Sequence, residues 1–129
     1  MLKRMIILFV SVTLSFLWGT TTFAEGSFVL KRIKERGTIN MGHRESSVPF
    51  AYIGSDGKPI GYTIDLCMKV IDAVKNEIGV SNLKINYVPV TSQTRIALMA
   101  NGTIDIECGS TTNNLTRQKQ VDYLPVTFI

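Results

Sequence analysis

Three arginines, each set among serine and threonine hydroxyls, carry the clearest chemistry in this 129-residue sequence. Arg44 lies in His43-Arg44-Glu45-Ser46-Ser47. Arg95 ends the run Pro89-Val90-Thr91-Ser92-Gln93-Thr94-Arg95. Arg117 follows Gly109-Ser110-Thr111-Thr112-Asn113-Asn114. A guanidinium presents a planar fork that matches a carboxylate with two parallel hydrogen bonds. Hydroxyls add single bonds, and Gly109 lets a ligand approach the backbone closely. A helix starting after Ser110-Thr111-Thr112 would aim free N–H groups at the same place. Three arginines exceed the needs of one carboxylate; a ligand with two anionic groups accounts for them.

Taken singly, each feature has an ordinary reading. An arginine in a loop is usually a surface charge, and a hydroxyl before a helix is usually an N-cap. The case rests on three such loops together. His43 is the one histidine of the chain. It has no Cys or acidic residue at ligand spacing, so a structural role is expected and neither a metal nor a cofactor. Glu45 and Asp105 could form an acid–base pair, but salt bridges or surface positions suit them better. Glu107, inside a strand and beside the third loop, could orient an arginine. Asn101-Gly102-Thr103 and Asn114-Leu115-Thr116 match the glycosylation pattern, but Asn101-Gly102 reads better as a helix stop.

The elements that must position these loops can be read from periodicity and caps. Ser27 caps a helix over 28–36, ended by Gly37. Thr38 to Gly42 is a strand with Ile39 and Met41 on one face. Asp56-Gly57 between two apolar runs, Phe50–Ile53 and Pro59–Tyr62, signals a hairpin. Ile64, Cys67, Ile71, Val74 and Ile78 recur at helical spacing, which predicts a helix over 63–78 closed by Gly79. A strand over 84–88 has Ile85 and Tyr87 alternating with polar residues. A helix over 92–101 has Ile96, Met99 and Ala100 inward. Ile104-Asp105-Ile106-Glu107-Cys108 alternates as a strand, and a last short helix is expected over 113–120. Strands alternating with helices imply an α/β fold with a mainly parallel sheet covered on both faces. In such sheets ligands sit outside the carboxyl ends of the strands. The three arginine loops follow the three strands there.

The ends and the composition set the compartment. Lys3 and Arg4 precede an apolar run from Met5 to Trp18, and Thr22-Phe23-Ala24 has small residues at the −3 and −1 positions of a cleavage site. Residues 1–24 read as a secretory signal peptide, too short for a stable membrane span. No Cys sits at the cleavage point, which argues against a lipid anchor. After Ala24, twelve basic and ten acidic residues leave a net charge of +2. With no basic stripe and no interleaved aromatics, nucleic acid is not an expected partner. Cys67 and Cys108 would enter an oxidising compartment and could pair. Both also fit apolar-periodic positions, and two small buried side chains is the preferred reading. Val126-Thr127-Phe128-Ile129 is an apolar strand-like stop, which suggests a fragment with further strands missing.

The motifs Gly42-His43-Arg44-Glu45-Ser46-Ser47-Val48-Pro49-Phe50, Val90-Thr91-Ser92-Gln93-Thr94-Arg95-Ile96 and Glu107-Cys108-Gly109-Ser110-Thr111-Thr112-Asn113-Asn114, with Arg117-Gln118-Lys119-Gln120, are similar to those of the glutamate/aspartate-binding periplasmic proteins. These are polar-amino-acid solute-binding proteins of ABC importers. The likeness runs over nearly all of Ser27 to Ile129. It implies two α/β lobes that close on the ligand, with residues 25–129 the N-terminal part of lobe 1 and the second lobe missing. It implies that Arg117, Ser110 and Thr112 hold the α-carboxylate, and that Arg44, Ser92 and Arg95 hold the side-chain carboxylate. The second lobe would supply the acidic partner for the ligand ammonium, so the 129-residue chain alone is expected to hold glutamate weakly.

The function this implies is periplasmic capture of L-glutamate or L-aspartate and delivery to the membrane subunits of an ABC importer, with no catalytic step. Two alternatives use the same fold. One is a periplasmic dehydratase of cyclic dicarboxylic acids, for which Glu45 is the local acid–base candidate. The other is the sensor domain of a receptor. A fold alone does not separate them.

Overall fold

The central strand of the molecule is the first one in sequence. A computed structural model describes residues 25–124; the signal peptide expected over 1–24 and the strand expected at 126–129 lie outside the described residues. β1 (Thr38–His43) pairs in parallel with β5 (Lys84–Pro89) on one side and with β6 (Ile106–Cys108) on the other, in the order β5-β1-β6. Ile39 and Met41 point to one face of β1 and are buried, as alternation requires. Beneath them α1 (Glu25–Arg36) and α2 (Tyr62–Ile78) close a core with Ile33, Ile64, Cys67, Ile71, Ile78, Leu83 and Cys108. The opposite face carries Val90 and Ile104 against Gly42. A Cβ at Gly42 would lie 2.6 Å from Ile104 Cδ1, so only glycine lets that side chain settle onto the strand.

The helix ends follow the glycines. Gly37 (φ 64°) and Gly79 (φ 67°) take left-handed conformations, which a side chain would strain. Gly37 N–H reaches Ile33 O at 2.9 Å, and Val80 N–H reaches Lys75 O at 3.0 Å. α1 begins at Glu25, so Ser27 lies within the helix and is not its cap. The start of α2 has no side-chain cap. Instead its first N–H groups, on Tyr62 and Thr63, donate to the carbonyls of Pro49 and Phe50 at 3.0 and 2.9 Å. The bend that carries those carbonyls holds the cis Val48–Pro49 bond. It joins β2 (Ser46–Ser47) to β3 (Ala51–Ile53), which pairs with β4 (Pro59–Ile60) across the Asp56-Gly57 turn. The hairpin is thus part of a separate three-stranded antiparallel sheet. Its first strand was expected as loop, because two polar serines carry no strand pattern.

Four further expectations change. The helix expected over 92–101 is α3 (Arg95–Ala100), preceded by a turn. Thr91 and Thr94 bond reciprocally there, N–H of each to the hydroxyl of the other at 3.0 and 3.2 Å, which is capping-box geometry. Ile96 and Met99 are half-buried, Ala100 is exposed, and the buried residue of α3 is Arg95. The helix expected over 113–120 is a single 3-10 turn, Arg117–Lys119, because Asn114 Oδ1 takes the Arg117 N–H and starts the turn late. Tyr87 is 42% exposed, since β5 is the edge strand of this sheet.

The fourth correction concerns the cysteines. Cys67 on α2 and Cys108 at the end of β6 form a disulfide, with Cα atoms 6.1 Å apart. Both are buried as expected, but α2 packs directly over β6, so the two thiols meet. Asp105 is held as a salt-bridge anchor. Its fully buried carboxylate accepts from Arg32 at 2.8 Å, from Arg36 and from the Asn40 N–H at 2.8 Å, fastening α1 to the sheet.

Candidate functional site

Register decides where the loops open. His43 stands level with Pro89 on one side and with Cys108 on the other. The chain therefore leaves all three parallel strands at one edge, and Arg44, Val90–Arg95 and Gly109–Arg117 follow from there. The expected convergence of the three arginine loops holds. Two shallow concavities lie over Asn113 and residues 118–123, and none of the six candidate residues lines them.

Two of the loops are joined directly. Arg44 Nη1 donates to Ser92 Oγ at 2.6 Å. Arg95 comes next in the same loop, and the residue is only 6% exposed. Its Nη1 lies 4.0 Å from Glu107 Oε1, an ion pair without a hydrogen bond. Arg95 Nε and Nη1, Glu107 Oε1, Thr111 Oγ1 and Tyr123 Oη are all buried without hydrogen-bond partners. Arg117 is half-buried on the third loop. Its Nη1 donates to the Thr112 carbonyl at 2.8 Å. Ser110 is half-buried and Thr112 exposed on that loop. Among the described residues no α-helix follows Thr112, and the turn at Arg117–Lys119 is too short to bring a helix dipole to this loop.

The charges are coupled. Burial pushes the Arg95 guanidinium below its usual value; Glu107 opposes that shift, while Arg117 and Arg44 reinforce it. Burial pushes the Glu107 carboxyl up, countered by the neighbouring Thr111 hydroxyl and by Arg95, Arg44 and Arg117. All three guanidiniums therefore act within one electrostatic neighbourhood, with Glu107 as its anion. The sequence marks Glu107 as a residue that could orient an arginine, and the arginine that lies within ion-pair distance of it is Arg95. Thr111 and Tyr123 were not singled out. A threonine among threonines and a tyrosine near the end of a loop give no signal until the fold closes over them.

Gly109 has a second reason to be glycine. A Cβ there would collide with Glu107 Oε1 and stand 2.9 Å from Arg44 Cγ. Gly109→Ala must therefore displace the Glu107 carboxylate or the Arg44 stem. We expect it to cost about 1–3 kcal/mol, the usual range for overpacking, measured as a shift of the urea unfolding midpoint. A variant within about 0.5 kcal/mol of wild type would show that this contact relaxes freely.

His43 is buried at the end of β1, its ring edge-on to Tyr87 with centroids 6.1 Å apart and its Nδ1 3.3 Å from the Arg44 carbonyl. It packs against the strand end that launches Arg44. Glu45 is exposed and Asp105 is committed to α1, so the two do not form an acid–base pair. Among the described residues no group of His, Cys, Asp and Glu has the geometry to hold a metal ion, and no helix is long and apolar enough to cross a membrane.

Comparison with known proteins places this edge in context. The model of the bacterial extracellular solute-binding proteins, family 3, matches residues 39–128. The L-glutamate/L-aspartate-binding protein of Pseudomonas aeruginosa is 63% identical over 95 residues, which are 73% of this chain and 32% of that protein. The glutamate/aspartate import solute-binding protein of Salmonella typhimurium is 47% identical over 106 residues, 82% of this chain and 35% of that protein. A crystal structure of an ancestral cyclohexadienyl dehydratase superposes with a TM-score of 0.58 at 32% identity, covering 70% of this chain and 34% of that one. The chain thus spans about a third of the length of the relatives it matches.

Proposed function

This chain belongs to the bacterial extracellular solute-binding proteins, family 3, and from that premise we propose that it captures L-glutamate or L-aspartate outside the cytoplasmic membrane for an ABC importer. The observation that carries the reading is the clustering of three guanidiniums at one sheet edge. Arg44 is tied to Ser92 at 2.6 Å, with the buried Arg95 on the same loop. These three take the side-chain carboxylate. Arg117, Ser110 and Thr112, on the opposite loop, take the α-carboxylate. The names of the Pseudomonas and Salmonella relatives point the same way.

In this reading residues 1–24 are a cleaved export signal, and 25–129 belong to the first of two lobes. The second lobe supplies the partner of the ligand ammonium. The Cys67–Cys108 disulfide supports an exported protein, because such bonds persist in oxidising compartments. The membrane subunits of the importer are the second partner.

The test is calorimetry with glutamate and glutamine on one preparation of the full-length protein. Glutamate is expected to bind at least tenfold more tightly, since an amide leaves two desolvated cationic donors without their anion. Equal affinities would remove the assignment of Arg44 and Arg95 to the side chain. The dehydratase likeness favours a second reading, in which the same edge binds a cyclic dicarboxylate. Glu45, its acid–base candidate, is exposed on the loop after β1. Turnover of such a substrate by the full-length protein would establish that reading.

A further inference from the structure

We propose that Glu107 is the positioning residue for Arg95, holding its guanidinium at the sheet edge and thereby setting the preference for dicarboxylic over amide ligands. This rests on the reading of the site as a dicarboxylate site.

The geometry carries the argument. Glu107 stands level with Gly42 in the parallel ladder. It therefore shares the face of the sheet on which Val90 and Ile104 pack. α3 delivers Arg95 to the same place, and the facing atoms, Glu107 Oε1 and Arg95 Nη1, are 4.0 Å apart. Neither atom has a hydrogen-bond partner, and both are buried. The carboxylate lies close against Gly109: a Cβ there would collide with Glu107 Oε1 and crowd the Arg44 stem.

An arginine stem is flexible and ordinarily carries its charged head to water. Arg95 keeps its head buried although Arg44 and Arg117 both repel it. The anion acting on it is Glu107. Remove that charge, and burial and repulsion together favour a rotamer that takes the guanidinium away from Glu107 and toward water. The charge count agrees. Three guanidiniums and one carboxylate leave two positive charges, which two ligand carboxylates balance.

The test compares wild type, Glu107→Gln and Glu107→Asp in the full-length protein, titrated with glutamate and with glutamine, each variant also melted without ligand. Glu107→Gln keeps the shape and loses the charge. Its glutamate affinity is expected to fall about tenfold or more, the scale on which loss of the group behind a liganding side chain is felt. Its glutamine affinity should stay within about threefold, a change of less than 1 kcal/mol. Glu107→Asp keeps the charge and should recover part of the glutamate preference. Glutamate binding by Glu107→Gln as tight as wild type, or tighter, overturns the proposal, because Glu107 would then compete with the ligand for Arg95. Equal losses for both ligands in either folded variant also overturn it, because the role would be structural. If Glu107→Gln does not fold, the Glu107→Asp preference decides. A wild type without preference for glutamate removes the dicarboxylate reading itself, a separate result.

Discussion

Arg117→Ala is expected to abolish capture of every amino-acid ligand alike, whereas Arg95→Ala should weaken acidic ligands most. In the proposed reading the two forks have different jobs. Arg117 sits on the loop after β6 with Ser110 and Thr112, where the group common to all amino acids would lie. Arg95 follows Ser92, the partner of Arg44, in the loop after β5, and in that reading meets the ligand side chain. Truncating one partner of a buried, hydrogen-bonded charge pair costs about 2–5 kcal/mol, roughly 30- to several-thousand-fold in affinity. Calorimetry of both variants against glutamate and glutamine reads the pattern. Glutamate affinity of Arg117→Ala within a few-fold of wild type would show that the α-carboxylate is held elsewhere. Arg95→Ala carries a second effect. It strips the buried Glu107 carboxylate of the cation nearest to it, which destabilises the fold as well as the site. Its melt must therefore accompany its affinity.

That coupling shows where sequence reading reaches and where it stops. The three arginine loops were legible because each follows a strand, and parallel strands in register deliver their carboxyl ends to one edge. β1 and α2 were legible because their periodicity is strong and glycines end both helices that flank β1. What escaped depends on contacts distant in sequence. Alternation puts Tyr87 on one face with Ile85, but β5 is an edge strand of the described sheet, and Tyr87 stays exposed there. Thr91 looked like the lead-in to a helix at 92. Its reciprocal bonds with Thr94 instead form a turn, and the helix starts at Arg95. The last helix fails for a related reason, an asparagine side chain substituting for a backbone turn. Asp105 and Glu107 sit two residues apart in one alternating run and meet opposite fates. One is fully paired by α1, the other lies 4.0 Å from its arginine without a hydrogen bond. No pattern within the run separates them; the partners come from elsewhere in the chain. An incompletely paired buried carboxylate weakens a fold. Its presence at the edge where the arginines gather is the kind of local cost that functional sites carry.

Replacing both cysteines, Cys67→Ala with Cys108→Ala, is expected to cost about 4 kcal/mol of stability by the chain-entropy relation. The bond closes a loop with a sequence separation of 41, and that length sets the size of the effect through the unfolded chain. Cys108 is 1% exposed and Cys67 is buried beside Ile64 and Ile71. Alanine keeps both sites apolar and adds no buried hydroxyl, so the loss reports the cross-link together with a small cavity. The bond also has a local consequence. It fastens the last residue of β6 to α2 immediately before Gly109, and so fixes the start of the loop that carries Ser110, Thr112 and Arg117. Opening it should therefore loosen the Ser110–Arg117 loop before the Arg44–Ser92 side, which hangs from other strands. Urea unfolding of the full-length protein measures the first effect, with wild type in reductant as an independent way to open the bond. Hydrogen exchange at residues 109–117 against residues 91–95 measures the second. A stability loss under about 1 kcal/mol in both the variant and the reduced protein would show that the two cysteines contribute as buried apolar groups and not as a cross-link. Equal loss of protection in both loops would show that the disulfide supports the whole sheet edge and not the third loop in particular.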